Sequence, residues 1–358
     1  MKTQLEMFTN TINHIPTGNF LYRTSFTTDL KTKIKDRLSI RSDESLIEEL
    51  GFFNPVTVQP EPKWKPTQEE INEKFEKYFT GIDRKQGTYI DARGVMHIPG
   101  SMYHFTHYIS PLRNAESMDE LERFYYPGDE VYGYANMRNL VRRAHEKGLV
   151  TVCPIGKLYE FAWQIRGYQE FLTDMLVNPE FCDYIFDRIQ QRNLLRAEAA
   201  AKADVDYLHT GDDVANQNAL MFSPDLWRKF IKPRWAELYK MVKKIKPDIK
   251  IWYHSDGNIS EIIPELIEIG VDILNPVQPE CMDIYEIKKK YGDRLVLEGT
   301  IGTQSTMPFG TPEDVRRAVK DRKEKLGYDG ALIISPTHIL EPEVPIDNIL
   351  AFCDECRK

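Results

Sequence analysis

Ile249-Lys250-Ile251-Trp252-Tyr253-His254-Ser255-Asp256-Gly257 decides the fold of this chain. It reads as a buried strand that ends on an imidazole and, two residues later, a carboxylate. Alternating Ile, Trp and Tyr need no His at the tip for packing. Three more apolar segments end on polar groups in the same way: Asp206-Tyr207-Leu208-His209-Thr210-Gly211-Asp212-Asp213, Leu295-Val296-Leu297-Glu298-Gly299-Thr300 and Ala331-Leu332-Ile333-Ile334-Ser335-Pro336-Thr337-His338. Polar residues gathered where successive parallel strands end mark the mouth of a (β/α)8 barrel, where such folds keep their active sites.

Working outward, strands and helices alternate from about residue 150. Strands are expected at 149–154, 206–210, 249–254, 272–275, 295–298 and 331–335. A long helical region runs to Lys202. Later helices carry start signals: Ser223-Pro224-Asp225 places an N-cap, a first-turn proline and an acid in order. Thr311-Pro312-Glu313-Asp314 does the same. Ile263, Leu266, Ile267 and Ile269 fall on one side of a helix opening near Ser260. Helices are also expected at 283–290 and 345–355. This cadence implies parallel pairing with right-handed crossovers.

The first 150 residues are less regular. A first barrel strand is expected within 19–26, and 52–68, with Pro55, Pro60, Pro62 and Pro66, suits a loop. Residues 88–91 and 95–98 flank Ala92-Arg93-Gly94 as a hairpin. The expected architecture is one α/β domain over 1–358, a TIM barrel with an irregular N-terminal extension. Residues 30–110 would supply extension and loop elements around the mouth.

Composition narrows the function. With 358 residues, 41% hydrophobic and 11% aromatic, the chain can bury a large core. A net charge of −8 argues against nucleic-acid or anionic-membrane partners. No apolar run approaches the ~18 residues of a membrane span, and no apolar signal core follows Met1, so a cytoplasmic protein is expected. The five cysteines are an odd, scattered set. Cys353 and Cys356 lack the second pair that a structural zinc site wants, and they read as helix thiols. No nucleotide-binding glycine motif appears.

The segments from Gly211-Asp212-Asp213 through Met221-Phe222-Ser223-Pro224-Asp225-Leu226-Trp227, His254-Ser255-Asp256-Gly257, Asp272-Ile273-Leu274-Asn275-Pro276-Val277-Gln278 and Pro308-Phe309-Gly310-Thr311-Pro312-Glu313-Asp314-Val315 carry a resemblance. Pro336-Thr337-His338 and Pro345-Ile346-Asp347-Asn348-Ile349 continue it. The chain resembles the uroporphyrinogen decarboxylase superfamily, which also contains cobamide-dependent methyltransferases. That resemblance implies a (β/α)8 barrel with its site at the C-terminal mouth. The decarboxylases anchor their substrate's carboxylates with an arginine-rich N-terminal motif (R-Q-A-G-R), whereas here Leu21-Tyr22-Arg23-Thr24-Ser25-Phe26 carries one Arg. A substrate with eight carboxylates needs several cationic partners. The superfamily's thiol methyltransferases hold zinc with a His-x-Cys and a later Cys. Here His254-Ser255-Asp256 and His338 stand in those places without sulfur, a harder donor set suited to an oxygen-linked methyl group.

Candidate residues follow. His254 and Asp256, two apart at a strand end, can both face the mouth; the bland alternative is an imidazole hydrogen-bonded to its neighbour. His338 sits at another strand tip, though loop histidines are often merely solvated. Of Asp212 and Asp213, one faces the barrel while the other can cap the segment that follows, because adjacent strand residues point to opposite sides. Asp213 is taken as catalytic, with His254, Asp256 and His338. His254, Asp256 and His338 are the candidate metal ligands, for Zn²⁺. Glu298 can ligate a metal, orient His254, contact substrate or form an ion pair in the barrel wall. Asn275, Gln278 and Gln304 offer neutral hydrogen bonds to a substrate. The run Tyr103-His104-Phe105-Thr106-His107-Tyr108 can line a pocket for a ring, with packing as the alternative.

The expected function is transfer of a methyl group from a methoxylated small molecule, foremost an aromatic one, or another methylated small molecule to the Co(I) of a corrinoid protein. That protein is a separate one, since no segment resembles a cobalamin-binding module. Expected partners are the methyl donor, that corrinoid protein and, for assembly, a second copy of the chain. A decarboxylase of a smaller acid is the alternative, and a non-catalytic binding barrel a third class.

Overall fold

The computed structural model describes residues 2–63, 66–100, 106–126 and 132–358. Eight parallel strands run in chain order: β1 (Leu21–Tyr22), β2 (Val56–Thr57), β3 (Thr151–Pro154), β4 (Tyr207–Gly211), β5 (Lys250–His254), β6 (Ile273–Asn275), β7 (Val296–Glu298) and β8 (Leu332–Ile334). They neighbour one another in the order β1-β8-β7-β6-β5-β4-β3-β2. The two outer strands are consecutive in the chain, and the Phe53 N–H donates to the Tyr22 carbonyl at 2.8 Å across that seam. The sheet thereby curls into the α/β barrel that the strand cadence implied.

Side chains alternate about the barrel wall as the period of two requires. Leu21, Val152, Tyr207, Trp252, Ile273, Val296 and Ile333 pack together inside. Leu208, Ile251, Tyr253, Leu274 and Leu297 belong to the larger core under the helices. The helix Gln4–Ile12, fixed by a Thr3/Glu6 capping box, closes the lower end. Its Phe8 ring lies 5.9 Å from Phe53 and 5.5 Å from Tyr207. The C-terminal end of the barrel opens into a cavity.

Six of the eight strands fall where alternation and flanking turns placed them, within two residues at each end, and β1 lies inside the 19–26 stretch expected to hold the first strand. The Ser223 and Thr311 side chains cap their helices as the start signals require, and Asp283 caps the helix after β6. Two regions differ. The proline-rich stretch expected to be loop contains β2, which is only two residues long and shows no alternation to read. The start of the 30–110 stretch expected as extension lies in the helices Thr28–Leu38 and Asp43–Leu50, the crossover from β1 to β2. The hairpin is present as Tyr89–Ile90 paired with Met96–Pro99, and Thr106–Ile109 adds a third strand. Cys353 and Cys356 are buried helix thiols. Among the described residues no helix is long and apolar enough to cross a membrane.

Gly211 lets the mouth close tightly. Its φ is +134°, and a Cβ there would lie 2.1 Å from the His254 carbonyl oxygen. Without a side chain, the chain turns so that the Asp212 N–H donates to that same oxygen at 3.0 Å. The tips of β4 and β5 are thus drawn together.

Candidate active site at the barrel mouth

His254 ends β5 opposite Gly211 of β4 and Asn275 of β6. Its Nδ1–H donates to the Asn275 Oδ1 at 2.8 Å. With Nδ1 so engaged, Nε2 points to the Asp213 Oδ1 at 3.5 Å and the Asp256 Oδ1 at 4.0 Å. Asp213 also accepts from the Asp256 N–H at 2.9 Å, which fixes the turn after β5. One ligand atom from each of Asp213, His254 and Asp256 lies within 4.8 Å of the others.

The two carboxylates are driven apart in acidity. Burial would raise Asp213, but His254, Lys157 and the Asp256 N–H outweigh it and hold the carboxyl below its usual range. Burial raises Asp256, and the charge of Asp213 adds to the effect against the opposing pull of His254. The Asp256 Oδ1 is buried with no protein hydrogen-bond partner among the described residues. One acid therefore stays ionised while its neighbour holds a proton more readily, a division that suits proton transfer. The pair titrates as a unit.

Asp212 points the other way. Its Oδ1 accepts from the Leu158 and Glu160 N–H groups at 2.7 and 3.2 Å, and its Oδ2 from the Trp235 indole at 3.2 Å. It therefore caps the segment after β3, not the one that follows it in the chain. Burial and the Glu160 carboxylate push its carboxyl up to about 8. Because the folded pKa lies above the unfolded one, the stabilising form is the protonated one. The contribution is complete below about pH 4 and declines as pH rises to about 8, by at most about 1.4 kcal/mol per unit. An Asp212→Asn variant cannot titrate here. Denaturation from pH 4 to 9 should show the wild type losing stability relative to it up to about pH 8, then running parallel; a constant difference would contradict this.

Two cavities meet at the mouth. The larger, about 610 Å³, descends into the barrel past His254, Trp252 and His209 towards Arg23 and Glu298. The other, about 450 Å³, is lined by Asp256, Gln278, Cys281 and Gln304. His338 and Ile339 border both. His338 is exposed and stands outside the tight Asp213–His254–Asp256 group, although its charge reaches both acids. Asp213 takes the place that the sequence had suggested for His338 in a candidate ligand set.

The remaining expected residues divide by contact. Asn275 orients His254, and the Gln278 Oε1 accepts from the Gly257 N–H at 2.5 Å, steadying the same turn. Gln304 is exposed at the rim of the second cavity. Glu298 does not touch His254. Its carboxylate accepts from the Arg23 Nε–H and the Trp252 indole, both at 2.7 Å, and pairs with the Arg23 Nη2 at 2.6 Å. It is the wall ion pair among the alternatives. Tyr103 and His104 lie outside the described residues. Lys157 and His209 went unassigned from sequence. Lys157 follows β3 directly, so its place at a strand end was the available signal.

The N/O donor set fits a divalent cation of the zinc class. His254 presents Nε2 to the group, its other nitrogen is held by Asn275, and a buried oxygen of Asp256 has no hydrogen-bond partner among the described residues. Geometry and fold together define a (β/α)8 barrel with a carboxylate–imidazole site at its C-terminal mouth. The family model "Uroporphyrinogen decarboxylase (URO-D)" matches residues 107–358, and the chain belongs to that family. Along its whole length the fold is similar to a methyltransferase from Methanosarcina mazei, at 16% identity and a TM-score of 0.65, covering 99% of this chain and 98% of that one. Weaker structural matches include an endo-1,4-β-mannanase from Rhizomucor miehei, at 9% identity and TM-score 0.42 with 94% of each chain covered. Another is an α-amylase from Geobacillus thermoleovorans, at 14% identity and TM-score 0.36, covering 64% and 61%. The search of curated proteins finds no match.

Proposed function

We propose that the protein is a methyltransferase that moves a methyl group from a methoxylated aromatic donor to the Co(I) of a corrinoid carried by a separate protein. The observation that carries this is the His254 Nε2 facing Asp213 and Asp256 where an aromatic-walled cavity meets a polar one. In the reaction the methyl carbon leaves the ether oxygen and bonds to cobalt. The oxygen keeps the bonding electron pair and takes up a proton. An unactivated ether has a poor leaving group, so the oxygen must be protonated or polarised.

Asp256 would hold that proton on its unpartnered Oδ1, and the Asp213 anion would keep His254 oriented and polarised. If zinc is bound, Asp213, His254 and Asp256 would hold it, and it would supply Lewis-acid polarisation of the ether oxygen. Metal analysis of the purified protein separates these two routes. A porphyrinogen-like polyacid fits less well, because Arg23 and Lys157, the cationic Lys/Arg side chains of the larger cavity, are already paired with Glu298 and Glu160.

The test is methyl transfer from a panel of methoxyarenes to reduced corrinoid proteins, followed by the loss of the Co(I) absorbance. Turnover with at least one donor is expected. No transfer to any acceptor, with release of CO₂ from a small acid instead, would replace this proposal by a decarboxylase.

A further inference from the structure

We propose that His209 binds the methyl donor deep in the larger cavity and selects an uncharged, hydroxyl-bearing methoxyarene over an anionic one. This rests on the methyl-transfer proposal for the donor's identity and adds the chemistry of the rest of the molecule. β4 turns Tyr207 and His209 into the barrel, and His209 lies opposite Trp252 of β5 in register. The two rings meet edge to face, with centroids 4.0 Å apart. Trp252 in turn lies nearly parallel to His254, at 5.7 Å and 11°. A ladder of three rings thus leads from the mouth down one cavity wall.

Among the described residues neither nitrogen of His209 has a protein hydrogen-bond partner. The ring is half-buried at the cavity wall, so its nitrogens exchange hydrogen bonds with what enters the cavity, water included. The bond is left to whatever occupies the space. Burial, with His254 and Arg23 adding to it, pushes the His209 pKa well below the usual histidine range. A neutral ring offers one donor and one acceptor, the pairing a hydroxyl group satisfies.

The charges nearby point the same way. The Arg23 guanidinium, which lies within 6 Å of the Phe53 and Trp252 rings, is bound to Glu298, and Lys157 is bound to Glu160. A carboxylate entering here would give up water without gaining an unpaired cation. Phe52, Phe53, Pro55 and Val152 supply the apolar surface for a ring. His209 lies two residues below the level of His254, about 7 Å along the strand direction. A substituted benzene ring of that length would place its methoxy oxygen towards His254 and its hydroxyl at His209.

Calorimetric binding of 4-methoxyphenol, methoxybenzene and 4-methoxybenzoate to the purified protein, with no corrinoid present, tests this. The wild type should bind 4-methoxyphenol about tenfold more tightly than methoxybenzene, the worth of one good hydrogen bond, with 4-methoxybenzoate weakest. His209→Phe should bring the first two within about twofold while keeping methoxybenzene binding. His209→Asn reads the same ratio if the Phe variant does not fold. Preference for the benzoate, no binding of any of the three, or an unchanged ratio in the folded variants would overturn the assignment. Selective binding without methyl transfer to any reduced corrinoid protein would instead remove the proposed reaction and leave His209 as the ring-binding residue. Transfer without selectivity that depends on His209 would do the reverse.

Discussion

Replacing His254 by alanine is expected to lower kcat/KM for methyl transfer by about 10³-fold, within the range that loss of a positioned acid–base group produces. The imidazole is the shared neighbour of both carboxylates, lying 3.5 and 4.0 Å from them. Removing it would take away the group that holds Asp213 ionised and leave two acids facing each other. The variant should also lose any bound metal, and metal content measured beside activity registers this. The structural cost should be small. The Asn275 Oδ1 loses its donor and Trp252 a stacked ring, but His254 borders an open cavity, so about 1 kcal/mol in a denaturant titration is expected. Retention of more than about a tenth of wild-type kcat/KM would remove His254 from the chemistry.

The second large effect concerns stability. Glu298→Gln should destabilise the protein by about 3 kcal/mol, the lower end of the range for breaking a buried ion pair. Glu298 is 1% exposed and receives three donors: the Arg23 Nε and Nη2 and the Trp252 indole. The glutamine can accept from one side only and would turn its own N–H groups on the other. The side chain of Arg23 is 25% exposed, and water in the cavity tempers the loss. This pair ties β1 to β7, with β8 lying between them in the sheet. Adding Arg23→Met to Glu298→Gln should recover part of the loss, since it removes the stranded charge. Urea denaturation of the single and double variants gives the coupling. A Glu298→Gln cost below about 1 kcal/mol would show that the pair contributes little to closing the barrel.

How much of this could be read from residue order depends on the range of each interaction. β3 to β8 were legible because their apolar alternation runs three or more residues and ends at turns. β1 and β2 are two residues each. β1 falls within the 19–26 stretch expected to hold the first strand, whereas the strand character of β2 comes from neighbours far along the chain, and propensity alone does not reveal it. The helix that carries Phe8 went unread for the same reason, since its role is to fill a space that exists only after the barrel closes.

The site divides in the same way. His254 and Asp256 were legible from their spacing of two at a strand tip. Adjacency showed that Asp212 and Asp213 must diverge, but not which of them faces the mouth. That depended on the turn at Gly211, where a side chain would collide with the His254 carbonyl. Glu298 was legible as a polar strand end, yet its partner Arg23 lies 275 residues earlier.

The sequence by itself determined the parallel barrel, its open C-terminal mouth and the kinds of group gathered there, because period, turns and caps act over a few residues. Only the tertiary structure decided which groups meet. Closing the sheet placed Asp213 beside His254, set Asn275 on its other nitrogen, paired Glu298 with Arg23 and left His209 facing the cavity. Those choices depend on distances between strands that no local pattern encodes.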